Sequence, residues 1–416
     1  MHITLILRTN CCRYSDPIST IKDLGIHIHL ITEINDDYSN RTFDSVKVFK
    51  KNTAYSDYLD YCQKLHHQFN LNAVITFMEP DLMLAGKIAK HLTVSGPEAY
   101  ATRISRNKRR QRQFLKRFSI PSPNFTPVTR HALKQQDIAS CHFPAILKPT
   151  QAALSLGVHL LQNKQNLAEK LQEIQALSND SNFYYFEKKS QYIALIEDFL
   201  PGEEVTVDGV VVNGTFVLGG IHNKRRNTGP TFEEDLYSLP FKTPEHEANI
   251  VAIATLICKH LKLHNSLFNV ELRQDDNGVF KVVEFSNRMS GAFCYRHIRH
   301  VYSLDLVRLY CKSLLGLPIQ ENELLRKKPS QATCTKWVFG NGKVLANNAG
   351  DAKHSKHYDD YFQITPPGEI AGYPHGLNCL GRLSLHGEYR SADDVVALEK
   401  KSFEIMKQLN IEIESS

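Results

Sequence analysis

The stretch VVEFSNRMSGAF, residues 282–293, places three polar side chains at the end of a segment with the pattern of a strand. An apolar pair leads into Glu284, and Asn287 and Arg288 follow shortly before a Ser-Gly step. A carboxylate, an amide and a guanidinium in this arrangement indicate one of two features. One is a structural ion pair, and the other is a site that binds a metal ion and phosphate.

A second carboxylate lies on the neighbouring strand of a predicted hairpin. The segments SLFNVELR and VFKVVEFS flank the turn DDNG, which predicts two paired strands. Glu271 and Glu284 each follow a hydrophobic segment, where a lone carboxylate is costly. Two such carboxylates repel each other unless a cation lies between them, and hard oxygen ligands suit Mg²⁺. The alternative is a pair of exposed strand carboxylates with arginine partners.

Two further segments offer polar groups to a nucleotide. FPAILKPT ends a predicted strand at Lys148, whose ammonium is a suitable point charge for a phosphate. IEDFLPGEEV predicts a strand, a turn and a second strand, with a backbone edge for a flat base and Glu204 for sugar hydroxyls. The alternatives are an exposed lysine at a strand end and an acidic turn.

The length of 416 residues predicts two or three domains. Over residues 1–105, strands alternate with helices, which predicts a parallel sheet with right-handed crossovers. Residues 106–300 have the pattern of an antiparallel-rich α+β unit, with a first subdomain over 106–200. Residues 301–416 have that of a C-terminal α+β region.

Composition narrows the function classes. A hydrophobic content of 42% and a charged content of 23% are typical of a soluble globular protein. The net charge of +6 suits an anionic small ligand and is low for a nucleic-acid-binding domain. Nine irregularly spaced cysteines without a CxxC pair indicate reduced thiols. No apolar run approaches the ~20 residues of a membrane helix, so we expect a cytoplasmic protein without membrane or nucleic-acid partners.

The order of these segments along the chain resembles the ATP-grasp superfamily, in particular its carboxylate–amine ligase branch, which includes L-amino-acid ligases. The resemblance spans nearly the whole chain, from the N-terminal α/β unit through the segments NKRRQRQFLKRFSIPSP, FPAILKP, IEDFLPGEEV, FNVELR and VVEFSNRMSG. It implies the ATP-grasp fold, with an N-terminal parallel α/β domain, central antiparallel-rich ATP-binding subdomains and a C-terminal α+β region.

The resemblance also implies an activity. Such an enzyme joins a small-molecule carboxylate, expected here to be an amino acid, to an amine. The reaction passes through an acyl phosphate and releases ADP and phosphate. ATP and Mg²⁺ are the implied cofactors, with Mn²⁺ as a substitute. A homodimer is the commonest soluble oligomer, and the sequence adds nothing to that expectation.

Individual residues match the family's functional positions. Those matching nucleotide contacts are Lys108 and Lys148 for the phosphates, Glu197, Asp198, Phe199 and Leu200 for adenine, and Glu204 for the ribose. At the reacting end, Glu271 and Glu284 match the residues that bind Mg²⁺. Arg288 and Lys148 match the residues that act on the acyl phosphate being formed.

The sequence departs from the family pattern in two places. The family usually has an asparagine as third metal ligand two residues after the second glutamate, where this chain has Ser286. Either Ser286 or Asn287 is then the third ligand, or a water replaces it. The phosphate-covering loop reads TQAALSLGV, in which Gly157 is the only glycine. Backbone approaches phosphate most easily at glycine, so the loop is expected to be less adaptable.

Candidate substrate contacts lie in three further places. In the loop after strand VLGG, Lys224, with Arg225 and Arg226, suits a carboxylate, and Glu233 or Glu234 suits an ammonium. Glu79, at a strand end of the first unit, is expected to face the same cleft. Arg296 follows the metal motif and either binds a substrate carboxylate or caps a helix end. The alternative for the loop is a solvated surface segment.

Three other interpretations stay open at this point. The same fold serves carboxylases and formyl-transferring enzymes, which take bicarbonate or formate. The altered asparagine position and the glycine-poor loop are compatible with a catalytically silent ATP-binding protein. The six basic residues within 108–117 form either a solvated helix face or a nucleic-acid-binding helix, for which an aromatic-interleaved stripe is lacking.

Overall fold

The computed structural model describes residues 1–9, 14–36, 38, 43–129, 141–152, 155–179, 190–226, 234–372 and 379–414. Among the described residues, no helix has the length and apolar character needed to cross a membrane. The seven cysteines within the described ranges are free thiols, and all of them except Cys141 are buried.

The N-terminal unit is a four-stranded parallel sheet in the order β3-β2-β1-β4. Its strands are β1 (His2–Ile6), β2 (His27–Thr32), β3 (Ser45–Val48) and β4 (Ala73–Ile75). Its helices are α1 (Ser15–Asp23), α2 (Tyr55–Phe69), α3 (Leu82–Leu92) and α4 (Ala99–Ser105). The two central strands are buried along nearly their whole length, which explains their almost continuous apolar sequence.

Helix α5 (Lys108–Arg117) carries the chain into the central part of the molecule. The Asn107 side chain caps it by accepting a hydrogen bond from the Arg110 backbone at 3.1 Å. The residues on its inner face, Lys108, Gln111 and Arg112, are buried. The interpretation of the basic residues as a solvated helix face is therefore wrong for this inner face, because Lys108 and Arg112 turn toward the sheets.

A small antiparallel sheet in the order β5-β8-β6-β7 follows. Its strands are β5 (Phe125–Thr129), β6 (Ala145–Pro149), β7 (His159–Leu161) and β8 (Tyr192–Asp198). Helix α6 (Leu167–Asn179) packs on it through residues such as Leu171 and Ile174. Strands β6 and β8 are the two central strands, and their pairing places Lys148 and Glu197 on the same face of the sheet.

The largest element is an eight-stranded antiparallel sheet in the order β13-β12-β9-β10-β11-β14-β18-β16. Its strands, in chain order, are β9 (Glu204–Val212), β10 (Thr215–Arg226), β11 (Glu234–Leu239), β12 (Ser266–Gln274), β13 (Phe280–Ser286), β14 (Gln331–Phe339), β16 (Tyr358–Gln363) and β18 (Cys379–Glu388). Since β11 pairs with β14, the sheet runs across the predicted boundary at residue 300 without a break.

Helices cover this sheet. Helix α7 (Glu247–Leu261) packs Ile250 and Ile257 in one core with Phe268 and Phe285 of the hairpin. Each such side chain contributes about 1.5–3 kcal/mol on burial. The remaining helices are α8 (Cys294–Tyr302), α9 (Leu306–Leu314) and α10 (Ala392–Met406), and a three-stranded sheet joins β17 (Ile370–Ala371), β15 (Gly342–Asn348) and β19 (Asn410–Glu414).

Candidate active site

A cavity of about 290 Å³ opens between the small sheet, the large sheet and the N-terminal unit. Most of the residues predicted to form a site line it. They are Glu79, Lys108, Lys148, Glu197, Asp198, Phe199, Leu200, Glu204, Glu271, Glu284, Ser286 and Arg288. The cavity therefore gathers into one place residues that lie more than 200 positions apart in the sequence.

The two hairpin carboxylates face each other across the strand pair. Glu271 of β12 and Glu284 of β13 are direct partners in the register, next to a bulge that follows Glu271. Lys108 Nζ lies 2.8 Å from Glu284 Oε1. Lys224 Nζ lies 3.2 Å from Glu271 Oε2 and 2.7 Å from Glu204 Oε1. Two opposed carboxylates that open on a cavity form an oxygen donor set of the kind that Mg²⁺ prefers.

A buried ion-pair cluster surrounds Lys148. Lys148 Nζ lies 2.7 Å from Glu197 Oε2, and Arg112 Nε lies 2.8 Å from Glu197 Oε1. Arg112 also donates to the Val283 carbonyl at 2.6 Å. Burial lowers the pKa of Lys148 to about 8, against the opposing attraction of Glu197. Burial opposes ionisation of Glu197 as well, but Arg112 and Lys148 hold its pKa below the ordinary value.

This cluster gives the Glu197 side chain a role that the sequence did not indicate. The residue is 4% exposed and its carboxylate is engaged by two cations, while the predicted backbone contact of segment 197–200 to adenine stays a prediction. Arg112, fully buried, was not among the predicted site residues. Its position four residues after Lys108 puts both on one helix face, and this spacing was the available indication.

A second charged group connects the N-terminal unit to the metal motif. Arg288 donates to Glu79 Oε2 through Nε at 2.8 Å, and its second terminal nitrogen lies 2.7 Å from the same oxygen. Ser286 Oγ donates to that oxygen at 3.1 Å. Burial opposes the ionisation of Glu79, yet Arg288 and Arg106 keep its pKa below the ordinary value. Arg288 and Ser286 thus lie together at the end of the cavity beside the N-terminal unit.

Asn287 does not face the cavity. Its Nδ2 donates to Thr102 Oγ1 at 2.9 Å, and its Oδ1 accepts from Ser105 Oγ at 2.8 Å. Side chains alternate along a strand, so Glu284 and Ser286 share one face and Asn287 has the other. The prediction of Asn287 as a metal ligand is corrected, because helix α4 uses both ends of its amide. Ser286 is the neighbour that lines the cavity.

Three predicted substrate residues lie elsewhere or are not described. Arg296 lines a separate cavity and pairs with Asp360 at 3.1 Å and Asp359 at 3.5 Å, so its assignment to the main cavity is corrected. Lys224 lies between Glu204 and Glu271, the two carboxylates predicted for ribose and metal, and its substrate contact stays a prediction. Glu233 lies outside the described residues.

Several lining residues carried no indication in the sequence. Tyr14, Tyr237, Trp337 and Arg382 come from four separate elements or loops. The Arg382 guanidinium lies over the rings of Phe293, Trp337 and Phe362 at 4.1, 5.1 and 5.2 Å and is only 4% exposed. Strand pairing brings these residues together over long sequence separations, which local patterns do not reveal.

The loop over the phosphate end has one position that requires glycine. Gly157 has φ +70°, and a Cβ there would lie 2.9 Å from Pro149 Cγ and 3.1 Å from Leu177 Cδ1. Ser155 and Leu156 line the cavity beside it. Residues 153 and 154 of this loop lie outside the described part of the chain.

Comparison with known proteins agrees with this geometry. Residues 141–296 match the family model of the ATP-grasp domain. Carnosine synthase 1 of Gallus gallus is 26% identical over 256 residues, which cover 59% of this chain and 27% of that protein. Alanine–anticapsin ligase of Bacillus subtilis (strain 168) is 24% identical over 262 residues, which cover 59% of this chain and 54% of that protein.

The fold matches over the whole chain. The crystal structure of an L-amino acid ligase from Bacillus licheniformis superposes with a TM-score of 0.81 at 19% identity, covering 100% of this chain and 99% of that one. The chain spans only about a quarter to a half of the two curated relatives. Its residues 141–296 resemble the ATP-grasp domain, the whole chain has the ATP-grasp fold, and the resemblance to the carboxylate–amine ligase branch is confirmed.

Proposed function

We propose that this chain is an ATP-dependent ligase that joins a carboxylate to an amine and releases ADP and phosphate. The observation that carries the proposal is the cavity in which Glu271 and Glu284 face each other with Lys108, Lys148 and Arg288 around them. Phosphoryl transfer to a carboxylate requires several anions to be held together, and positioning with charge neutralisation supplies most of its catalysis.

The nucleotide end is proposed to use the two lysines and the hinge. Lys148 and Lys108 hold the phosphates, and the backbone around Leu200 reads the adenine edge. Glu204 accepts from the ribose hydroxyls while Lys224 and Arg273, at 2.7 and 3.4 Å from its oxygens, keep it in place. The buried Arg112 orients Glu197, which in turn fixes the Lys148 ammonium.

Glu271 and Glu284 are proposed to hold Mg²⁺, with Ser286 as the third protein oxygen. Their side chains are 26% and 28% exposed toward the cavity, so they reach a ligand without leaving their strands. The ion supplies neutralisation of the phosphate oxygens when bound. Because Ser286 offers a neutral hydroxyl in place of the usual amide, the third contact is weaker than in the family pattern.

The chemical steps then follow from the charges at the other end of the cavity. A substrate carboxylate oxygen attacks the terminal phosphorus of ATP, and the bond to the ADP oxygen breaks. Arg288 is proposed to steady the charge on the transferring group, since its guanidinium makes bidentate contacts to anions. The amine nitrogen next attacks the acyl carbon, phosphate leaves, and the amine gives up one proton.

The substrate class is proposed to be amino acids. Glu79 is proposed to accept a substrate ammonium in competition with two arginines, since Arg288 lies 2.7 Å from one of its oxygens and Arg106 lies 3.8 Å from the other. Arg382 is proposed to hold a carboxylate, because it lines the cavity and its planar guanidinium matches the geometry of a carboxylate. Trp337 and Tyr14 offer apolar surface to a side chain, and this wall excludes water that would hydrolyse the acyl phosphate.

This assignment gives each proposed domain a part. The unit 1–105 supplies Glu79, the central region 106–300 supplies the nucleotide and metal contacts, and the region 301–416 supplies Trp337 and Arg382. All three line one cavity, so the substrate pocket is complete only when they are assembled.

The test is release of ADP and phosphate from Mg²⁺-ATP across pairs of amino acids, small carboxylates and bicarbonate, with product masses recorded in parallel. We expect release that depends on a specific pair, with a product mass equal to the sum of the pair minus water. Release with bicarbonate and no amide product would favour a carboxylase instead. Tight ATP binding without release for any pair would contradict the ligase.

A further inference from the structure

A second group of side chains with metal-binding chemistry lies outside the cavity. Asp208 on β9, His222 on β10 and Cys294 at the start of α8 bring one carboxylate oxygen, one ring nitrogen and one sulfur within 4.8 Å of one another. Asp208 Oδ2 and His222 Nδ1 are 3.9 Å apart. All three side chains are fully buried. The group lies directly beneath the turn Ser290–Gly291 that forms part of the cavity wall.

The imidazole of His222 is unsatisfied by the protein. Within the described part of the chain, neither of its ring nitrogens has a hydrogen-bond partner. More than nine in ten buried polar groups are hydrogen-bonded, and leaving one without a partner costs free energy. Asp208 and Cys294 lie within reach of this ring, so the missing partner belongs at the centre of the three side chains.

A second histidine has the same character. His297 follows Cys294 by three residues, which places both on one face of helix α8. Its Nδ1 lacks a partner among the described residues, while its Nε2 is 2.9 Å from Thr335 Oγ1. Its ring centroid is 5.8 Å from that of His222. Metal-ligating histidines have this pattern, with one nitrogen on the ion and the other held by an outer polar group.

The Asp208 carboxylate is also held by hydrogen bonds from an outer residue. Asp208 Oδ1 accepts from the Ser290 backbone nitrogen at 2.8 Å, and Oδ2 accepts from Ser290 Oγ at 2.6 Å. These contacts fix the orientation of the carboxylate from outside the cluster. They also connect the cluster to the turn at Ser290, which follows Arg288 by two residues.

We infer that Asp208, His222 and Cys294 bind a divalent zinc-type ion, and that His297, which lies outside this 4.8 Å group, moves its Nδ1 toward the ion as the fourth ligand. Imidazole, thiolate and carboxylate together are a typical donor set of Zn²⁺, whereas the oxygen-only set of the cavity suits Mg²⁺. Metal–ligand bonds of about 2.0–2.3 Å place tetrahedral ligand atoms about 3.3–3.8 Å apart, so the ion draws the cluster together by about 1 Å. Binding forms the metal–sulfur bond and releases the thiol proton to solvent.

The consequence is a closed structural site that fixes the cavity wall. Because every ligand is buried, the ion enters during folding rather than by exchange with the folded protein. Through Asp208 and Ser290 it then holds the turn on which Arg288 depends. The inference does not rest on the proposed ligase activity, since the ligands lie outside the cavity.

The test uses the full chain expressed in minimal medium supplemented with either Zn²⁺ or Co²⁺. We expect about one equivalent of metal per chain after gel filtration with a chelator, measured by mass spectrometry. The Co²⁺ protein should show thiolate-to-cobalt charge-transfer absorption in the near ultraviolet and intense visible bands of a four-coordinate ion. Cys294→Ser should lose the charge-transfer absorption, and His222→Gln should lose bound metal.

The matched control is Cys334→Ser, which removes another buried thiol on β14, outside the cluster. It should retain both metal and absorption. If the cluster variants fail to fold, the wild-type metal content and a higher Tm for Zn²⁺-grown than for metal-depleted protein decide the question. Wild-type protein without stoichiometric metal and without cobalt–thiolate absorption overturns the inference, whether or not ATP is hydrolysed.

Discussion

Replacing Glu284 by glutamine separates the role of this carboxylate in the reaction from its role in the fold. The substitution keeps the size of the side chain and removes its charge. Glu284 is 28% exposed and forms an ion pair with Lys108 at 2.8 Å. A partly exposed pair of this kind contributes about 1 kcal/mol or less to the free energy of unfolding. The Tm should therefore fall by no more than about 2–4 °C.

The effect on turnover should be far larger. Glu284 is one of the two carboxylates proposed to hold Mg²⁺ against the phosphates, and its strand partner Glu271 is the other. Loss of one fixed electrostatic contact to the reacting group commonly lowers kcat by about 10²–10³-fold. We therefore expect kcat to fall strongly while the Tm falls only slightly.

The assay is pair-dependent ADP release at saturating ATP, with thermal melting of the same samples. Glu404→Gln is the matched control, because it removes a carboxylate from the exposed face of helix α10, far from the hairpin in sequence. The control should keep wild-type turnover and Tm. A Glu284→Gln protein that melts as wild type and keeps its turnover within tenfold refutes the metal assignment.

Three further outcomes are expected. Glu197→Gln leaves Arg112 and Lys148 buried without their shared carboxylate and should lower the free energy of unfolding by about 3–5 kcal/mol in urea titrations; a loss below about 1 kcal/mol would contradict the cluster. Because burial lowers the pKa of Lys148 to about 8, its ammonium loses its proton above that pH. The Kd of a non-hydrolysable ATP analogue should then rise above about pH 8, and Lys148→Arg should remove this rise; a wild-type Kd that is constant up to pH 10 argues against a phosphate contact. Arg382→Met should raise KM for one amino-acid substrate about 10–100-fold, the scale of a charge-assisted hydrogen bond, and leave the Kd of ATP unchanged. The exposed Arg390→Met is its control, and equal effects on amino acid and ATP would count against a substrate contact.

The parts of the fold that the sequence predicts are those with a local period. Helix α2 spans Tyr55–Phe69, where the apolar Tyr58, Cys62 and Leu65 recur at helical spacing and are buried. The strands of the N-terminal unit follow its apolar runs. The hairpin of Glu271 and Glu284 is likewise local, since a turn fixes its register. The pairing of β11 with β14 joins strands about a hundred residues apart, and no local pattern encodes such a partner. The continuous eight-stranded sheet therefore could not be predicted from patterns alone.

The candidate site likewise contains residues that a local sequence pattern indicates and residues that only long-range strand pairing brings to the cavity. Strand alternation from Glu284 gives Ser286 the cavity face and Asn287 the opposite face, so this correction was available from the period of two. Arg112 has a weaker indication, because a basic helix is more often solvated than buried. Trp337 and Arg382 have none, since their place beside the cavity depends on which strands become neighbours.

The charges of the cavity predict that the proposed metal ion and nucleotide bind together. Lys108 holds Glu284, and Lys224 joins Glu271 to Glu204, so each carboxylate proposed for the ligands has an ammonium beside it. Two carboxylates facing each other would otherwise repel. A cation bound at the hairpin would take over the neutralisation of Glu284 and would leave the Lys108 ammonium for a phosphate oxygen. A triphosphate would bring the negative charge that this ammonium then needs, so we expect each ligand to bind more tightly when the other is present.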